Sequence, residues 1–101
     1  MEEGKDILLV DDHSLILQGI ASILNQIPEI SRVYTANSVA AAAGLITSRY
    51  FDIYMLDIEF PDGSGFDLIK QIRDKYPDAC VIINTMHERA WVINKLIKCE
   101  V

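Results

Sequence analysis

The stretch Ile7-Leu8-Leu9-Val10-Asp11-Asp12 runs four aliphatic residues directly into two carboxylates. A continuous apolar run fits a strand buried on both faces of a parallel sheet, whereas strict alternation would mark a strand with one wet face. Two further runs repeat the pattern. Ile53-Tyr54-Met55-Leu56 ends in Asp57, and Cys80-Val81-Ile82-Ile83 ends in Asn84-Thr85. Arg32-Val33-Tyr34-Thr35 carries polar residues at both ends and fits an edge strand.

Between these runs the apolar spacing changes to three and four. Ile16, Ile20, Ile23, Leu24 and Ile27 form a first helical stripe, with Pro28 as its stop. Ser38 caps a second helix whose stripe is Val39, Ala42, Ala43 and Ile46. Gly44 inside it costs about 1 kcal/mol relative to Ala, which points to close packing against the sheet. A third helix covers residues 65–76 with Phe66, Ile69, Ile72 and Arg73, and ends before Pro77. A fourth begins near Glu88 and buries Val92, Ile93, Leu96 and Ile97.

Strand–helix alternation with short connections predicts an open α/β sheet of parallel strands joined by right-handed crossovers. Strands start near residues 7, 32, 53 and 80, so a fifth falls due just after Val101. The expectation is a chain that ends before its last βα unit and leaves the fourth strand with an unpaired edge. Such an edge predicts self-association, as a homodimer or by a swap of the fourth helix between chains.

The 101 residues suit one domain. Hydrophobic residues make up 50% against 24% charged, which excludes a disordered chain. Asp and Glu number 15 against 9 Lys and Arg, a net charge of −6. Phosphate contacts need clustered cations, so direct binding of nucleic acid or an anionic membrane is excluded for this stretch. The longest apolar run, residues 39–46, is too short to span a bilayer. The start Met-Glu-Glu-Gly-Lys is no secretory signal. Cys80 and Cys99 lie far apart, without a Cys-x-x-Cys pair, and read as two buried thiols in a reducing, cytoplasmic compartment.

In open parallel sheets, ligands bind beyond the carboxyl ends of the strands. There Asp11, Asp12, Asp57 and Thr85 converge if the first and third strands are neighbours. Three carboxylates that close repel one another, and a hard divalent cation relieves the repulsion. Mg²⁺ suits one or two carboxylates together with waters and a phosphate. A carboxylate beside it can attack phosphorus to give an aspartyl-phosphate, with Thr85 donating to one of the transferred oxygens. Milder readings exist for single residues. Asp12 or Ser14 can cap the first helix, Asp62-Gly63 is ordinary turn chemistry, and His13 and His87 face solvent without a partner at metal spacing. Tyr34, Tyr50, Phe51, Tyr76 and Trp91 read as packing residues.

Taken together, three segments resemble the response-regulator receiver domain of bacterial two-component systems, over essentially the whole chain. They are Val10-Asp11-Asp12-His13, Leu56-Asp57 with Pro61 and Gly65 following, and Ile83-Asn84-Thr85. The resemblance implies a flavodoxin-like, doubly wound parallel sheet with strand order 2-1-3-4, its fifth βα unit missing. It implies that Asp57 is the phosphoacceptor, charged by a sensor histidine kinase. Asp11, Asp12, Asp57 and the backbone carbonyl of Glu59 would hold Mg²⁺. The Glu59 side chain occupies a position that tunes phosphoryl lifetime in the family, and Thr85 matches the switch hydroxyl. The family's lysine and switch aromatic belong to the fifth strand and so fall outside this chain.

The Asp-Asp-His start and Thr85-Met86-His87-Glu88 resemble the subfamily with a C-terminal helix-turn-helix, DNA-binding effector, and so imply transcription regulation. Catalysis would be limited to slow self-phosphorylation from small donors and autodephosphorylation. Two other classes compete. One is a small Mg²⁺-dependent phosphatase or phosphotransferase, although Asp57-Ile58-Glu59 lacks the Asp-x-Asp pair of such enzymes. The other is a phosphorylation-incompetent interaction module.

Overall fold

The computed structural model describes residues 4–83. Asn84, Thr85, His87, Trp91, Cys99 and the expected fourth helix lie outside the described residues. Strands β1 (Lys5–Val10), β2 (Ile30–Ala36), β3 (Ile53–Leu56) and β6 (Cys80–Ile83) form one sheet in the order β2-β1-β3-β6. All three neighbouring pairs are parallel. Counting the long strands alone, this is the expected order 2-1-3-4, with β2 at an edge. One element was not foreseen: β4 (Glu59–Phe60) and β5 (Gly63–Ser64) make a small antiparallel hairpin after β3.

Three helices connect the strands: α1 (Ser14–Leu24), α2 (Val39–Ser48) and α3 (Gly65–Lys75). Successive strand residues face opposite sides, and the core divides accordingly. Leu8, Val10, Tyr54, Leu56, Val81 and Ile83 form a buried cluster with Ala42 and Ile46 of α2 and Leu68 and Ile72 of α3. Ile7 and Leu9 are buried on the other face, as is Leu17 of α1. That second face is thinner, since α1 lies against β1 and β2. Ile53, Met55, Cys80 and Ile82 are therefore only half-buried, and burial on both faces holds in full for β1 alone.

Four further expectations need correction. The stripe of α1 holds only in part: Ile16, Ile20 and Leu24 are half-buried, but Leu17, outside that stripe, is its buried residue, while Ile23 is 64% exposed and Ile27 also faces solvent. On α3, Leu68 and Ile72 are buried and Phe66 is exposed. Gly44 is exposed, and a Cβ placed there would meet nothing within 4 Å, so it marks no close packing. Phe51 and Tyr54 are fully buried with their rings edge to face, whereas Tyr50 lies outside on the edge of Tyr76. Cys80 is disulfide-bonded, not the buried thiol expected from the cysteine spacing.

The α2–α3 layer is tied by polar contacts as well as packing. Gln71 donates to the Ala43 carbonyl at 3.2 Å, and Lys75 donates to the Thr47 carbonyl at 2.7 Å. Lys75 thus supplies the C-terminus of α2 with a cation, which complements the helix dipole. Among the described residues, no helix is long and apolar enough to cross a membrane.

Candidate metal and phosphoryl site

The ladder of β1 continues one residue past its apolar run on each side. The Asp11 amide donates to the Ala36 carbonyl at 3.1 Å, and the Asp57 amide donates to the Val10 carbonyl at 2.9 Å. Sheet pairing therefore brings Asp11 and Asp57 side by side at the carboxyl ends of adjacent strands, as the topology requires. Both are buried, with 2% and 3% of their surface exposed, and they are the buried polar or charged residues of the described core. Asp12 joins them from the loop into α1. Ligand atoms of Asp11, Asp12, His13 and Asp57 all lie within 4.8 Å of one another. Two carboxylates at that separation repel by about 3–4 kcal/mol at an effective dielectric of about 20.

Internal hydrogen bonds answer this charge only in part. Asp11 Oδ1 accepts from the His13 amide at 2.8 Å and lies 2.9 Å from His13 Nδ1. Asp57 Oδ1 accepts from the Ile58 amide at 2.7 Å. Asp12 Oδ1 is buried without a hydrogen-bond partner, although His13 Nδ1 lies 3.2 Å away. One N–H points at one acceptor, and the shorter approach gives it to Asp11. Burial pushes the Asp57 carboxyl above the ordinary range, against the pull of the Ile58 amide, and the charges of Asp11 and Asp12 push it further up. His13 is raised chiefly by its hydrogen bond to Asp11 and then by the Asp12 charge. A donor set of three carboxylates, two of them buried, with one orphaned oxygen fits a hard divalent cation.

Backbone geometry holds Asp57 in place. The Gly65 amide donates to the Ile58 carbonyl at 2.5 Å, closing the loop that leaves β3. A Cβ on residue 65 would lie 2.2 Å from the Asp57 carbonyl oxygen, so only glycine allows this approach.

The sequence placed Asp11, Asp12 and Asp57 together, and the structure does so. It places Glu59 in β4, two residues past Asp57 at the start of the hairpin. Thr85 lies outside the described residues. Neither Asp12 nor Ser14 caps α1: the N-cap is His13, and no side chain bonds there. His13 is exposed, as expected, but it does have carboxylate partners, contrary to expectation. Asp62 is more than a turn residue. Its two oxygens accept from the Val39 and Ala40 amides at 3.0 and 3.1 Å, across 23 and 22 residues of chain. No local sequence signal announces such a contact.

Residues 7–101 match the family model described as the response regulator receiver domain. The DNA-binding transcriptional activator DevR/DosR of Mycobacterium tuberculosis is 34% identical over 80 residues, covering 78% of this chain and 37% of that protein. A protein-glutamate methylesterase/protein-glutamine glutaminase of Pseudomonas syringae pv. tomato is 30% identical over 83 residues, covering 82% of this chain and 23% of its own length. The chain thus spans between about a quarter and two fifths of these curated relatives. Among solved structures, the response regulator protein TrrA from Thermotoga maritima in complex with Mg²⁺ and BeF superposes with a TM-score of 0.80. It is 30% identical, and the match covers 96% of this chain and 84% of that one.

Proposed function

Because the chain belongs to the response-regulator receiver family, we propose that Asp57 is its phosphoacceptor, charged by a sensor histidine kinase. Asp11, Asp12, Asp57 and the Glu59 backbone carbonyl would hold Mg²⁺. The observation that supports this best is the convergence of three carboxylates, two of them buried, with one oxygen left unpartnered. When bound, the cation neutralises charge on the transferring phosphoryl oxygens.

The chain's own residues do the rest. The Ile58 amide fixes Asp57 Oδ1, which leaves the other oxygen to attack phosphorus. A P–O bond to Asp57 forms as the P–N bond to the kinase imidazole breaks, and the imidazole keeps the electron pair. Gly65 lets the loop pack close enough to hold the Asp57 backbone during the transfer. Thr85 would donate to a phosphoryl oxygen and carry the switch.

The added charge would bias a two-state equilibrium of the domain. Its output would be a C-terminal DNA-binding effector, a reading supported by the similarity to a DNA-binding transcriptional activator. Such a relay belongs in the cytoplasm, where the kinase draws on ATP. We take the chain as a single receiver domain. Turnover would be limited to slow self-phosphorylation and autodephosphorylation.

Intact mass after incubation with acetyl phosphate tests this. A gain of one phosphoryl group that requires Mg²⁺ and is lost in Asp57→Asn is expected. An equal gain in the variant would refute the assignment.

A further inference from the structure

The hairpin that follows Asp57 is fastened at its tip to a helix it does not belong to. Helix α2 begins with backbone amides that no intrahelical carbonyl can satisfy. Three of these have side-chain acceptors. Ser38 Oγ accepts from Ala41, as the expected N-cap does, while Asp62 Oδ1 and Oδ2 accept from Val39 and Ala40. Ser38 is local to α2, but Asp62 sits between β4 and β5, at the turn of the hairpin. Gly63 packs beside it, where a Cβ would approach the Val39 side chain to 3.2 Å. The helix terminus also favours a negative charge, and the two amides hold the Asp62 carboxyl below the ordinary range.

The base of the same hairpin directly follows Asp57 of the acidic cluster in the chain. Glu59 pairs with Ser64 and Phe60 with Gly63, and Phe60 is buried. Immediately before them, Ile58 donates to Asp57 through its amide and accepts from Gly65 through its carbonyl. A short two-stranded hairpin is not stable by itself, so its position depends on where its ends and tip are held. The base is held by Gly65 and the tip by Asp62.

We propose that Asp62 is a positioning residue for the site: by clamping the hairpin to the N-terminus of α2, it fixes the Ile58–Glu59 backbone beside Asp57. This rests on the metal and phosphoryl reading given above. Asp62 touches no reacting atom, and its effect passes through the hairpin to the backbone that faces the cation.

Ser38 provides the control, because Ser38→Ala removes a cap from the same helix without touching the hairpin. The test is Mg²⁺ titration by calorimetry on wild type, Asp62→Ala, Asp62→Asn and Ser38→Ala, with amide hydrogen exchange on each apo protein. Asp62→Ala is expected to weaken Mg²⁺ binding by about threefold to tenfold, at or below the roughly tenfold that direct outer partners of a metal site contribute at the least. Asp62→Asn keeps a carbonyl acceptor and should fall between, while Ser38→Ala should leave the affinity unchanged. Exchange at the Ile58 and Gly65 amides should speed up in Asp62→Ala alone. Equal weakening by Asp62→Ala and Ser38→Ala would reduce Asp62 to a helix cap, and no weakening by either would remove it from the site. If wild type itself bound no Mg²⁺, the site reading would fall. The exchange rates would then decide separately: faster exchange in Asp62→Ala alone supports the clamp, and unchanged rates overturn it.

Discussion

Both ends of the sheet carry clustered acids, but among the described residues only the carboxyl end leaves a buried carboxylate oxygen without a hydrogen-bond partner. At the amino end, Asp52 Oδ2 accepts from the Asp6 amide at 2.8 Å, and Asp6 pairs with Arg49 at 3.3 Å. The Arg49 guanidinium in turn lies 4.3 Å above the Tyr34 ring. At the carboxyl end, Asp11, Asp12 and Asp57 share a pocket with a single exposed imidazole. A cavity of about 550 Å³ opens at the amino end, lined by Lys5, Tyr50, Asp52, Lys75 and Tyr76 among others. This cavity thus lies at the amino end of the strands, whereas the buried carboxylate oxygen without a partner lies at the carboxyl end. At the amino end the fold itself supplies each of these carboxylates with a partner, whereas at the carboxyl end one buried oxygen, Asp12 Oδ1, has none.

The largest effect should come from Gly65→Ala, which drives a methyl group into the Asp57 carbonyl. Displacing backbone costs about 1–3 kcal/mol in packed sites. Chemical denaturation should show this loss, accompanied by weaker Mg²⁺ binding; a neutral variant would mean that the β3 loop is not held as described. Next in size is Asp57→Asn, which removes a buried charge that the apo protein tolerates poorly. The melting temperature at neutral pH should rise, with a domain this size moving roughly 4–8 °C per kcal/mol.

The sign of that effect follows from the raised carboxyl. The folded state holds the Asp57 proton more tightly than the unfolded chain, so the group favours folding in acid and loses that contribution as pH rises through its folded value. The advantage of Asn is thus full once pH exceeds the folded value and vanishes below the ordinary Asp value of about 3.9. An advantage that persisted in acid would have another origin.

Asp52→Ala should act the other way, costing about 1 kcal/mol for a lost partly buried acceptor, with no change in Mg²⁺ binding. Smallest is Gly44→Ala, on an exposed helical position with free space. It should stabilise the domain by about 0.5–1 kcal/mol, and destabilisation would restore the close packing that the sequence suggested.

These contrasts also show what could be read before the structure. The bounds of β3 and β6 were legible because four apolar residues run directly into a polar one in each, although their burial proved to alternate. The three acids were legible because topology alone puts strand ends together. The phase of α1 was not, since Leu15, Ile16, Leu17, Ile20, Ile23 and Leu24 offer several stripes of the same period. Only the docking of α1 on β1 and β2 selects Leu17. The hairpin was invisible because two-residue strands carry no periodicity. The Asp62 clamp and the His13 contact depend on a turn meeting atoms that composition does not specify. Gly44 and Gly65 look alike in sequence, and only the position of neighbouring backbone separates them.

The most direct measurement is thermal unfolding of wild type, Asp57→Asn and Asp52→Ala at neutral pH, each with and without Mg²⁺. Without the cation, Asp57→Asn should melt above wild type and Asp52→Ala below it. With Mg²⁺, wild type and Asp52→Ala should both gain stability by linkage, while Asp57→Asn should gain little. Shifts of the same sign at the two ends, or an equal Mg²⁺ gain in all three proteins, would contradict the assignment of the unanswered carboxylates to a metal and phosphoryl site.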